Sequence, residues 1–164
     1  MTDGLWEQLH YDDDNSWSGF FAVTFGNREY DVDLVIQADD DQTEITECQK
    51  QSFLSFTEKW TSIEPVLVNA LIHYYNQEEK YSYGPENEED AALWWPDINT
   101  YQELVNAVAP ETIVIPPDCM MNGGRKIFLL FGRTWGGEDL DDNGVGVCFI
   151  NEHISEIGYK DIAF

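Results

Sequence analysis

Positive charge is what this chain has least of. Eight Lys and Arg stand against 32 Asp and Glu, a net charge of -24 over 164 residues. A field of that sign repels nucleic acid and anionic membrane and attracts basic partners. Cysteine is nearly as sparse: Cys48, Cys119 and Cys148 are odd in number, widely spaced and free of any Cys-x-x-Cys pair. That pattern argues against a disulfide framework and against a zinc site, and a reducing cytoplasm is its natural setting. No apolar run approaches the ~20 residues that span a bilayer. The N-terminal Met1-Thr-Asp-Gly-Leu-Trp-Glu7 has no basic region followed by an apolar stretch. A cytoplasmic chain, neither secreted nor membrane-spanning, is the expectation.

Catalytic signatures are missing too. His10, His73 and His153 are scattered, there is no Gly-x-Ser-x-Gly elbow or phosphate-cradling glycine loop, and Cys119 has no basic neighbour in sequence. Among 32 carboxylates a close pair arises by chance, so paired acids do not signal a glycosidase. Neither a catalytic residue nor a metal or cofactor is expected.

What is present is a core. The chain is 43% hydrophobic and 14% aromatic, which separates it from acidic disordered segments and suits one domain over residues 1–164. Lys126-Ile-Phe-Leu-Leu-Phe131 has no polar face, so it reads as a central strand covered on both sides. An N-terminal hairpin is written in alternation: Trp17, Phe21, Val23 and Phe25, then Gly26-Asn27, then Tyr30, Val32, Leu34 and Ile36. A two-residue loop pairs Val23 with Tyr30, Phe21 with Val32 and Trp17 with Ile36, which leaves Asp31 and Asp33 in water.

Helical spacing follows. Ile45, Cys48, Phe53, Phe56 and Trp60 share a stripe, with Asp41 or Thr43 as cap. Ser62 opens a second helix with Pro65 in its first turn and Ile63, Val66, Leu67, Ala70, Leu71 and Tyr74 inward. Residues 77–90 read as a long polar loop. Thr100-Tyr-Gln-Glu103 is a capping box opening a short helix, Glu111 to Ile115 is a strand, and Val145 to Ile157 is a hairpin turning near Asn151-Glu152. The whole predicts an α+β fold: an antiparallel sheet of about five or six strands with two or three helices on one face.

Several of these segments resemble a known family. Gly144-Val-Gly-Val147 and Ile154-Ser-Glu-Ile-Gly-Tyr-Lys-Asp-Ile-Ala-Phe164 are similar to the closing signature of a bacterial family of uncharacterised cytoplasmic domains. Pro96 to Thr100 and Ala109 to Ile115 are similar to its middle segment, so the likeness covers roughly residues 94–164. Where that family has an acidic-His-Gly step, this chain has Asp142-Asn143-Gly144. Related domains include immunity proteins that neutralise toxins, and the resemblance implies that role here.

The acidity is clustered. Asp12–Asp14, Asp39–Glu47, Glu86–Asp90 and Glu138–Asp142 hold 16 of the 32 acidic residues. Clustered carboxylates steer a basic partner and speed its association. The candidate partner-binding residues are Glu86, Glu88, Glu89, Asp90, Glu138, Asp139, Asp141 and Asp142, with Trp94 and Trp95 between the last two windows. Adjacent tryptophans before a proline cannot both enter one strand face, so one lines a groove or both plug the core. The opening of a calcium loop, Asp139-x-Asp141-x-Asn143-Gly144, ends on Ile150 where a bidentate Glu is needed, and reads as a solvated loop.

The expected function is therefore non-catalytic binding of a basic protein, such as a toxin, with no nucleic-acid or membrane partner. Two alternatives stand beside it: a hydrolase acting through the carboxylates of Glu138–Asp142, and a salt-adapted domain with no cationic partner.

Overall fold

The computed structural model describes residues 4–121, 124–136 and 144–164. Short α1 (Leu5–Gln8) and β1 (His10–Asp12) lead into the hairpin of β2 (Ser16–Phe25) and β3 (Arg28–Gln37). Gly26 and Asn27 take φ of 59° and 64°, and Val23↔Tyr30, Phe21↔Val32 and Trp17↔Ile36 are the Cα pairs that a two-residue turn demands. Two long helices follow, α2 (Glu47–Glu58) and α3 (Trp60–Tyr74). The remaining strands are β4 (Val108–Ile115), β5 (Met120–Met121), β6 (Gly124–Arg133), β7 (Val145–Ile150) and β8 (His153–Gly158).

The sheet is larger than expected. Seven strands run in the order β1-β2-β3-β4-β6-β7-β8, and β5 pairs with β6 beside them. β1 and β5 were too short to show an alternation. The pairing is antiparallel except between β3 and β4, where Leu34↔Ile113 and Ile36↔Ile115 lie parallel. The two helices make that parallel junction possible, because they carry the chain from the end of β3 back to the start of β4.

Both faces of β6 are covered. Ile127, Leu129 and Phe131 join the main core with Val32, Leu34, Phe53, Phe56, Leu67 and Leu71 under the helices. Phe128 and Leu130 face the other way and pack with Val114, Cys148 and Ala163. A C-terminal 3-10 turn, Lys160–Ala163, closes that second face, and Lys160 is paired with Glu111.

The helix boundaries differ from the sequence expectation. Thr46 caps α2 through a capping box with Gln49, not Asp41 or Thr43. Helix α3 starts at Trp60 directly after α2, so Pro65 lies inside it; Val66 is exposed and Val68 takes its place in the core. Nor are residues 77–90 one loop. A π-helical turn (Tyr75–Glu79), α4 (Lys80–Tyr83) and α5 (Glu88–Trp94) occupy most of that stretch. Helix α6 (Tyr101–Ala107) begins at the Thr100–Glu103 box as written.

One correction is covalent. Cys48 and Cys119 form a disulfide across a sequence separation of 71, and Cys148 is the buried free thiol. Gln49 explains the meeting: its Nε2 donates to Gln37 O at 2.7 Å and to Pro116 O at 3.1 Å, pinning the first turn of α2 over the ends of β3 and β4. Cys48 precedes that anchor and Cys119 follows Pro116. The scattered spacing of the cysteines thus no longer argues for a reducing compartment. Among the described residues no helix is long and apolar enough to cross a membrane.

Candidate functional site

The π-helical turn organises a buried polar cluster that includes Glu79 and Arg133. Asn76 Nδ2 donates to Ile72 O at 3.0 Å, competing for a carbonyl of the α-helical ladder, and to Ile98 O at 2.8 Å. A side chain that takes a ladder carbonyl widens the helix locally. The wider turn sets Tyr74 and Glu79 on one side, and the Tyr74 hydroxyl donates to Glu79 Oε1 at 2.8 Å.

Arg133 reaches the same oxygen from the end of β6. Its Nη1 donates to Glu79 Oε1 at 2.8 Å, with side-chain exposures of 1% and 2%, so the pair is dry. The guanidinium carbon lies 5.5 Å from the Tyr159 ring centre and 5.9 Å from that of Trp135. Tyr75 packs on Trp135 at 4.7 Å and stacks with Trp95 at 6.3 Å. Burial pushes the phenols of Tyr74, Tyr75 and Tyr159 up; the charge of Glu79 adds to it at Tyr74 and Tyr159, and that of Asp97 at Tyr75. These phenols remain neutral at ordinary pH.

A surface groove lies above this cluster. One pocket of about 390 Å³ is lined by Tyr83, Glu86, Asp90, Trp95, Gly136 and Tyr159. A second, of about 330 Å³, shares Tyr83 and Tyr159 and adds Tyr74, Glu78, Glu79 and Ser82. Helix α5 forms the outer bank. Asn87 Oδ1 caps it by accepting from Asp90 N at 2.8 Å, and Glu88, Glu89 and Asp90 sit in its first turn, where the helix dipole favours negative charge. Gly136 N donates to Trp94 O at 2.9 Å and ties the segment after β6 to that bank.

The sequence-derived candidates fall into this frame unevenly. Glu86, Glu88 and Glu89 are exposed, Asp90 and Trp94 are half-buried, and Trp95 is a core residue 4% exposed that reaches the pocket only at its wall. Glu138, Asp139, Asp141 and Asp142, and with them the calcium-loop resemblance through Asn143, lie outside the described residues. The other two acidic windows meet far away, at the opposite end of the strands, where Asn15 Nδ2 donates to Asp40 Oδ1 at 3.4 Å.

Sequence reasoning missed Glu79, Arg133, Tyr83 and Tyr159, along with the exposed apolar groups of Tyr81 (86%), Tyr83 (62%) and Leu93 (63%). The one available signal was Arg133, a cation closing an apolar strand, which burial obliges to find a carboxylate.

The charge balance around the groove is one-sided. Lys50, Lys59, Lys80, Arg125, Arg133 and Lys160, six of the eight basic residues, are spent on Glu47, Glu152, Asp97, Glu79 and Glu111. No His or Cys lines either pocket among the described residues, and no group of three His, Cys, Asp or Glu there is placed to hold a metal. The arrangement suits recognition of positive charge on an aromatic surface.

Searches of curated proteins and of solved structures each found no match. A family model described as a domain of unknown function, DUF6985, matches residues 5–164, and the chain belongs to that family.

Proposed function

We propose that this DUF6985 domain is a non-catalytic binding protein that holds a basic protein against the α5 surface, as an immunity protein occludes a cationic toxin. The observation that carries it is the mixture within residues 81–93: Tyr81 and Tyr83 of α4 and Leu93 of α5 are exposed, as are Glu86, Glu88 and Glu89, and Tyr83 and Glu86 line the same pocket. The nearest cation in sequence, Lys80, is taken up by Asp97 at 3.2 Å. Exposed tyrosines supply anchoring contact area at low entropy cost, and the carboxylates steer the approach. The same field disfavours nucleic acid and anionic lipid.

Co-purification with the products of neighbouring genes, at low and at high salt, tests the reading. A basic protein held stoichiometrically at low salt, and lost from Glu86→Gln/Glu88→Gln/Glu89→Gln and from Leu93→Ala, supports it. Retention that is indifferent to those changes, or no stoichiometric partner at either salt, overturns it.

A further inference from the structure

We propose that the pocket between α5 and Tyr159 receives the guanidinium group of an arginine side chain, which deepens the binding reading above by naming the anchor of the basic partner. Three aromatic residues, Tyr83, Trp95 and Tyr159, and two carboxylate residues, Glu86 and Asp90, line one 390 Å³ space together with Gly136. Among the described residues no basic side chain lines it. A space lined by both aromatic rings and carboxylates suits an organic cation, through the negative face of a ring and through charge-assisted hydrogen bonds.

The molecule already uses one of these rings in that way. Arg133 lies against Tyr159 at 5.5 Å from inside, with its charge balanced by Glu79, so an incoming cation meets a neutral pair behind the ring. Guanidinium suits the space better than ammonium. It is planar and weakly hydrated, it stacks on a ring while its fork meets a carboxylate, and it gives up less solvation on entering. Tyr83 is shared with the neighbouring pocket, whose lining includes the exposed Glu78, so a chain carrying the arginine has a further carboxylate to lie along.

The probe is N-acetyl-arginine amide, titrated into the whole protein at 0.15 M salt and followed by the indole N–H of Trp95 and the backbone N–H of Gly136 in nitrogen–proton NMR. Saturable shifts confined to these groups are expected. Weakening of about five- to tenfold is expected from Tyr83→Leu and from Glu86→Gln, both at exposed positions. Asp39→Asn, at the far end of the sheet, leaves the titration unchanged, and N-acetyl-lysine amide binds several-fold more weakly.

Shifts that never saturate, or that survive Tyr83→Leu, show attraction by net charge alone and overturn the pocket. Tighter binding of the lysine amide overturns the guanidinium assignment. The two readings fail separately: a basic partner still captured by a protein that ignores arginine amide removes the pocket, whereas arginine amide bound without any protein partner removes the binding function.

Discussion

Arg133 and Glu79, 54 residues apart, meet at 2.8 Å with almost no solvent access, and Tyr74 donates to the same carboxylate oxygen. The pair joins the last residue of a central strand to a π-helical turn at the end of the longest helix. It therefore fixes the floor of the groove.

Removing one partner leaves the other charge buried. Glu79→Ala is expected to cost about 3–5 kcal/mol, while Glu79→Leu combined with Arg133→Met is expected to cost far less, because the desolvation penalty disappears with both charges. Urea unfolding of the two variants checks this; equal losses would mean that packing, not the buried guanidinium charge, sets the cost.

The Cys48–Cys119 bond closes a loop of 71 residues that includes α2, α3 and α5. Cys48→Ser/Cys119→Ser is expected to lower stability by about 2–4 kcal/mol in non-reducing buffer and to change nothing once reductant is present. Peptide mapping without reduction should recover the linked pair. Burial pushes the Cys148 thiol up, so alkylation of the native protein should be slow and should accelerate on unfolding.

Alkaline pH should unfold the protein through its tyrosines. Tyr74, Tyr75 and Tyr159 hold their protons more tightly when folded than in the open chain, where a phenol titrates near 10. Above that value the unfolded state loses protons first, so the stabilisation these groups give is complete below about pH 10 and falls as pH rises further. A denaturation midpoint that is flat from pH 9 to 12 would contradict the assignment. The late fraction of the tyrosine absorbance change should disappear with unfolding.

Gln49 is fully buried and serves four partners: the Thr46 cap, the Gln42 side-chain amide, Gln37 O and Pro116 O. Its replacement by Leu is expected to cost about 2–3 kcal/mol, since two carbonyls lose their donor at a buried site. Thermal melts should place Gln49→Leu well below Thr46→Ala, for which loss of the cap alone costs about 1 kcal/mol.

The parts legible in the sequence are those that neighbouring residues decide. Gly26-Asn27 and the alternation on either side set the register of β2 against β3, and Thr100 with Glu103 set the start of α6. The turn at Asn151-Glu152 needs only two residues that accept positive φ, here 50° and 66°. The unbroken apolar run of β6 told in advance that both its faces are covered, since exposed apolar area of that extent opposes folding.

Other features depend on residues too distant for any local pattern to connect. Parallel pairing of β3 with β4, the Cys48–Cys119 bond and the Glu79–Arg133 pair link positions from 54 to more than 70 residues apart. Each forms because helices α2 and α3 pack as a layer and carry remote ends together. The groove is of the same kind: Tyr83, Glu86 and Trp95 come from one stretch, and Gly136 and Tyr159 arrive from elsewhere. Composition alone determined that this protein carries strong negative charge. Only the tertiary structure decided where that charge borders exposed aromatic rings, because side-chain burial depends on which faces of distant elements meet.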